Sequence, residues 1–155
     1  MIIENHFQKD CYEIMRAEYL QTLTKDEIRR SRIHCEKQLQ QFDSMDMEKR
    51  NEYIALEVMN WSRNTVEPPF YITQKDYLKV DSFQPAQEIG SAFLVFNYVL
   101  VEDKTSLVAC GSGKGRFWAV YYEDTFIGAG ETAEMAICKA SIVINDAVVM
   151  KLNTV

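Results

Sequence analysis

Apolar residues in the first third of the chain recur at helical spacing among charges of both signs, and neither Gly nor Pro occurs before Pro68. The pattern predicts a helix over residues 7–23, with Cys11, Ile14, Met15, Tyr19 and Leu20 along one stripe. Thr24 followed by Glu27 has the form of a capping box, in which each side chain satisfies a backbone donor that the first turn leaves free. A second helix therefore starts there and runs to about Phe42, with Ile28, Cys35 and Leu39 inward and Arg29, Arg30, Arg32, Glu36 and Lys37 mostly outward. The two form an α-hairpin docked on the body of the protein or on a partner. A third helix begins near Asp46, carries Tyr53, Ile54, Leu56, Val58, Met59 and Trp61, and ends before Pro68-Pro69.

Residues 68–81 read as irregular, with Phe70, Tyr71, Ile72, Tyr77 and Leu78 as anchors. Pro85 suits the first turn of a helix, where its missing N–H is no loss, and Ile89, Ala92, Phe93, Phe96 and Leu100 follow at helical period up to Glu102-Asp103. Then the period drops from 3.6 to 2. Residues 106–110, 116–122 and 125–129 read as three strands joined by hairpin connections, and Thr132 caps a last helix that turns Ala136, Ile137, Ala140, Ile144, Ala147 and Val148 inward. The predicted class is α+β: a small antiparallel sheet of three or slightly more strands between helices, in α/β/α layers, preceded by the helical hairpin. The predicted division is a hairpin over 1–45 and an α+β domain over 46–155.

Four stretches carry a family resemblance. They are Val58-Met59-Asn60-Trp61; Phe83-Gln84-Pro85 leading to Glu88-Ile89 and Ala92-Phe93; the strand around Trp118; and the run from Glu131-Thr132-Ala133-Glu134 through Met135-Ala136-Ile137-Cys138-Lys139-Ala140. In this order they resemble the phage ABA sandwich domain, a bacteriophage and prophage family with no assigned activity, over roughly residues 47–150. Asn60 stands where that family often has Gly, Phe93 where it often has Trp, and Met135 where it has Leu. The matching residues are apolar or capping, so the resemblance implies a fold and a phage setting and transfers no catalytic residue.

Composition narrows the function classes. With 47% hydrophobic and 26% charged residues over 155 positions, the chain can bury a core without staples. A formal charge of −6 opposes binding to phosphate backbones and favours a basic partner surface. From Pro85 onward the α-β-β-β-α order matches that of double-stranded RNA binding domains, but Glu131 and Glu134 occupy the helix start where such modules place lysines. Cys11, Cys35, Cys110 and Cys138 form no C-x-x-C pair, which argues against a zinc site and for free thiols in a reducing cytoplasm. The first ten residues lack the apolar core of a secretory signal, and the longest apolar run, 92–101, is too short to span a bilayer.

The candidate ligand-binding residues are Gly111, Ser112, Gly113, Lys114, Arg116 and Trp118. Small residues expose backbone N–H groups to an anion, Lys114 and Arg116 add charge, and Trp118 adds a stacking surface. The Walker pattern is absent, because Gly115 follows the lysine and a strand follows that, so a flexible hairpin turn is the plainer reading. Phe117, Trp118, Tyr121 and Tyr122 alternate along one strand and serve either the core or a partner surface. His34 and Cys35, as neighbours on a helix, diverge by about 100° and cannot form a nucleophilic pair. His6, the other imidazole, lies like His34 outside the resembling region.

The expected function is therefore that of a non-enzymatic, cytoplasmic phage or prophage accessory protein without a cofactor. It would act by protein–protein contact on a host factor or defence system, or on another phage protein, with a homodimer through the hairpin as a further option and neither nucleic acid nor membrane as partner. The alternative is a small-ligand, nucleotide-like binder at the glycine turn.

Overall fold

The computed structural model describes residues 2–154, and side chains from Cys11 to Thr154. His6 lies outside the described side chains. The helices are α1 (Ile2–Thr22), α2 (Lys25–His34), α3 (Glu36–Ser44), α4 (Met47–Tyr53), α5 (Ile89–Val99) and α6 (Ala133–Asn153). The strands are β1 (Ser62–Arg63), β2 (Phe70–Ile72), β3 (Tyr77–Lys79), β4 (Thr105–Cys110), β5 (Phe117–Tyr122) and β6 (Thr125–Gly130). They form two antiparallel sheets, ordered β1-β2-β3 and β4-β5-β6. The protein is α+β, as the periodicity predicts.

Helix α6 organises the fold. Its buried positions run all round it, from Ala133, Met135 and Ala136 through Cys138, Ser141 and Val143 to Val148, which marks a helix enclosed on every side. On one side it packs against β5 and β6; on the other it meets α1, α2 and α5. Close approach to the sheet depends on Gly128 and Gly130, because a Cβ on either would come within 3 Å of the α6 backbone. Thr132 caps the helix, accepting from the Met135 amide at 3.2 Å.

The N-terminal helices share this core. Leu20, Leu23, Ile28, Cys35 and Phe42 are buried in one cluster with the α6 residues. The Thr24–Glu27 capping box forms in both directions. The Ser31 hydroxyl lies 2.7 Å from the Val143 carbonyl and 2.8 Å from the Asp146 carboxylate, two acceptors that share its one proton, and Lys151 donates to the Thr22 carbonyl at 2.9 Å.

Several boundaries differ from expectation for physical reasons. The second predicted helix kinks at Cys35 into α2 and α3, although the Cys35 amide still donates to Ser31 and its carbonyl still accepts from Leu39. In α1 the stripe is rotated: Ile14 is 62% exposed, while Arg16, at 2%, faces the core. The third helix passes into a π-turn over Ile54–Val58, and Asn60 follows at φ 57°, a left-handed position that Gly or Asn fills most easily. Residues 68–81 are not irregular throughout, since β2 and β3 lie within them; at three residues each they are too short to display alternation. Pro85 opens a single turn, with the Gln87 and Glu88 amides donating to the Gln84 carbonyl, and α5 starts only at Ile89 and ends at Val99. The buried side of α5 is Ser91, Ala92, Val95 and Val99, which leaves Ile89, Phe93 and Leu94 exposed.

Candidate interaction surface

The register of β4-β5-β6 sorts its side chains onto two faces. Leu107 pairs with Val120 and Val120 with Gly128; Ala109 pairs with Trp118 and Trp118 with Gly130. This face meets α6. On the opposite face, Ser106 pairs with Tyr121 and Tyr121 with Phe126; Val108 pairs with Ala119 and Ala119 with Ala129; Cys110 pairs with Phe117. A bulge between Val120 and Tyr121 keeps Phe126 on this second face.

That outer face is apolar and open. Val108 is 40%, Phe117 42% and Phe126 38% exposed, and Tyr121 is half-buried against Phe126, with ring centroids 6.0 Å apart at an angle of 68°. Ala119 at the centre is only 1% exposed because larger neighbours ring it. Of the helices, α6 packs on the opposite face of the sheet, and α2 lies along the β6 edge of this one. Soluble proteins expose single apolar side chains freely, but four large ones on one face of a sheet form a less ordinary feature.

Basic groups stand at both ends of the patch. At the β5–β6 end the Arg32 guanidinium lies 5.0 Å from the centre of the Phe126 ring and donates to the Phe126 carbonyl at 3.4 Å. At the other end, in the β4–β5 turn, Lys114 and Arg116 are exposed and form no ion pair among the described residues. Glu123 and Asp124 in the β5–β6 turn, held by Lys25, also stand at the first of these ends.

Two clefts follow β6. One of about 310 Å³ lies between β6 and the α2–α3 segment, with Arg32, Ile33, Leu39 and Phe126 in its walls. Another of about 720 Å³ continues toward the start of α6 between Phe117, Gly130, Glu131, Glu134, Arg50 and Gln87. Ala129 and Lys139 border both. Lys139 is held by Asp43 at 2.6 Å, and Arg50 caps the end of α3 by donating to the Phe42 and Asp43 carbonyls. The cations of the larger cleft thus have protein partners.

The predicted ligand residues are distributed between the turn and the sheet interior. Gly111 to Arg116 are all exposed, with a 3-10 turn over Gly113–Gly115. Gly111 and Gly113 hold φ values of 78° and 60°, and a Cβ on Gly111 would stand 2.4 Å from the Gly115 carbonyl oxygen. Turn geometry therefore explains the glycines. Trp118 faces inward, packed against the core, whereas Phe117 faces outward. Arg32 is a contributor that periodicity alone missed: the helical count turns it outward but does not show that it reaches the sheet edge.

The thiols and imidazole are arranged for structure. Burial, with a smaller contribution from the Asp146 carboxylate, pushes the Cys35 thiol up to about 11, and burial drives Cys138 up as well. His34 is exposed, and its Nδ1 lies 3.3 Å from the Asp146 carboxylate oxygen that also accepts from the buried Ser31 hydroxyl. Among the described residues no group of three or more His, Cys, Asp or Glu side chains is gathered as metal ligands, and no helix is long and apolar enough to cross a membrane.

Residues 52–142 match the phage ABA sandwich domain. No curated protein and no solved structure matches the chain.

Proposed function

The chain belongs to the phage ABA sandwich domain family, and on that footing we propose that it works by protein–protein contact, without catalysis or a cofactor, through the outer face of the β4-β5-β6 sheet. The observation that supports this reading is the open patch of Val108, Phe117, Tyr121 and Phe126 with basic groups at both ends. Burying what remains exposed of each large apolar side chain contributes on the order of 1 kcal/mol, and aromatic anchors in a desolvated centre dominate interface energetics. The fitting partner surface is apolar at its centre and carries carboxylates opposite Arg32, Lys114 and Arg116. We place that partner in the cytoplasm of the bacterial host, as a host or defence protein, and assign nucleic acid no role because the net charge is −6.

Capture from host lysate by the immobilised full chain tests this. Wild type recovers one specific partner, and the double variant Phe117→Ser, Phe126→Ser loses it while keeping its circular dichroism spectrum. Equal recovery by the variant, or no partner at all, contradicts the proposal. Deleting the N-terminal hairpin is no useful control, since Ile28, Cys35 and Phe42 belong to the core.

A further inference from the structure

The two edges of the β4-β5-β6 sheet are treated differently. The β6 edge is shielded by its bulge, by α2 alongside it, and by Arg32, which donates to the Phe126 carbonyl. The β4 edge has none of these. Its six residues, Thr105 to Cys110, contain no charge, no proline and no bulge, and β5 is its one strand neighbour. Soluble proteins normally blunt such an edge, because its free N–H and C=O groups template pairing with another strand.

The free groups can be identified. The Lys104 carbonyl accepts from the Glu123 amide at 2.6 Å, so Lys104 and, by alternation, Ser106, Val108 and Cys110 turn their backbone groups toward β5. Thr105, Leu107 and Ala109 then present their N–H and C=O groups to the open edge. Three such residues at two-residue spacing are self-complementary: an antiparallel copy centred on Leu107 sets Thr105 opposite Ala109 of the other copy, and Leu107 opposite itself.

Charge supports the same register. It brings the turn before β4 of one copy, which carries Glu102 and Asp103, to the end of the seam where the β4–β5 turn of the other carries Lys114 and Arg116. Glu102, Asp103, Lys114 and Arg116 are all exposed and form no ion pair among the described residues. The acids at the start of β4 thus meet the bases just after its end, twice, by symmetry. We propose that β4 pairs antiparallel with β4 of a second copy of this chain, making a continuous six-stranded sheet with these two charge clusters at its seam. This edge is distinct from the outer face, with Lys114 and Arg116 bordering both, and the pairing does not rest on the reading given for that face.

Sedimentation equilibrium of the full chain across roughly 1–100 μM, a range in which interfaces of ordinary size assemble, tests the proposal. Wild type has the mass of two chains. Ala109→Pro removes an edge-facing N–H that β5 does not use and gives a monomer. Glu102→Lys with Asp103→Lys raises the dissociation constant by about tenfold or more, although it lowers the net negative charge. Adding Lys114→Glu and Arg116→Glu to that variant restores the dimer. A monomeric wild type overturns the proposal, as does a dimer indifferent to both Ala109→Pro and the charge reversal, which would place the interface elsewhere, such as on the helical hairpin. If Ala109→Pro fails to fold, the charge reversal and its rescue decide alone.

Discussion

Gly128 lies against Ala140 so closely that a Cβ at position 128 would stand 2.7 Å from the Ala140 amide nitrogen. The obstruction is helix backbone, which cannot swing aside as a side-chain tip can. Gly128→Ala therefore levers α6 off the sheet and lowers stability by about 1–3 kcal/mol, read as a reduced urea midpoint with an unchanged slope.

Arg16 carries a buried guanidinium whose Nη1 donates to the Asn145 side-chain oxygen at 2.5 Å and to the Tyr12 hydroxyl at 3.2 Å. Its Nε and Nη2 have no hydrogen-bond partner. A buried cation without a carboxylate contributes little net stability, so Arg16→Met, which keeps the volume, is neutral or stabilising in thermal unfolding. Asn145→Ala, by contrast, strands the guanidinium and costs about 1–3 kcal/mol.

Glu27 links the hairpin to α6. Partial burial opposes its charge, but hydrogen bonds with Thr24 and the Lys151 ammonium 3.5 Å away outweigh this and hold the carboxyl below its ordinary 4.5. A depressed carboxylate contributes stability that is fully present above pH 4.5 and lost as pH falls through the lower native value. Unfolding followed from pH 7 downward should show this loss in wild type, and a smaller one in Glu27→Gln.

The legible part of the fold is the part with a long, regular period. Strands β4, β5 and β6 and the Thr132-capped start of α6 fall within a residue or so of where they are predicted, because alternation over six residues and a capping side chain before a long apolar period leave little freedom. The Thr24–Glu27 box was equally readable, since each of its side chains answers a specific backbone need. The orientation of α1 and α5 was not. Ile14 and Phe93 look like core in a helical count, yet tertiary packing chose the neighbouring face in each case, with Arg16 lying along its buried stem. Likewise the aromatics of β5 were visible, but which of them faced outward depended on register, a property of the pairing with β4 and β6.

Thiol reactivity offers a check on those burial assignments. Cys35 and Cys138 are buried with raised pKa values, whereas Cys11 and Cys110 are partly exposed. At pH 8, labelling of the native protein with a thiol-reactive disulfide should proceed at two sites first and at the buried pair at least about tenfold more slowly. Four equal rates would show that the core opens readily.

Hydroxyl-radical footprinting of the captured complex tests the contact surface most directly, because it reports on individual exposed rings. Phe117 and Phe126 of the sheet and Phe93 of α5 are similarly exposed in the free chain, at 42%, 38% and 43%, so all three should oxidise comparably without a partner. Binding through the outer face of the sheet predicts that oxidation of Phe117 and Phe126 falls several-fold while Phe93 is unchanged. Protection of Phe93 with Phe117 and Phe126 still reactive would contradict it and move the contact to α5.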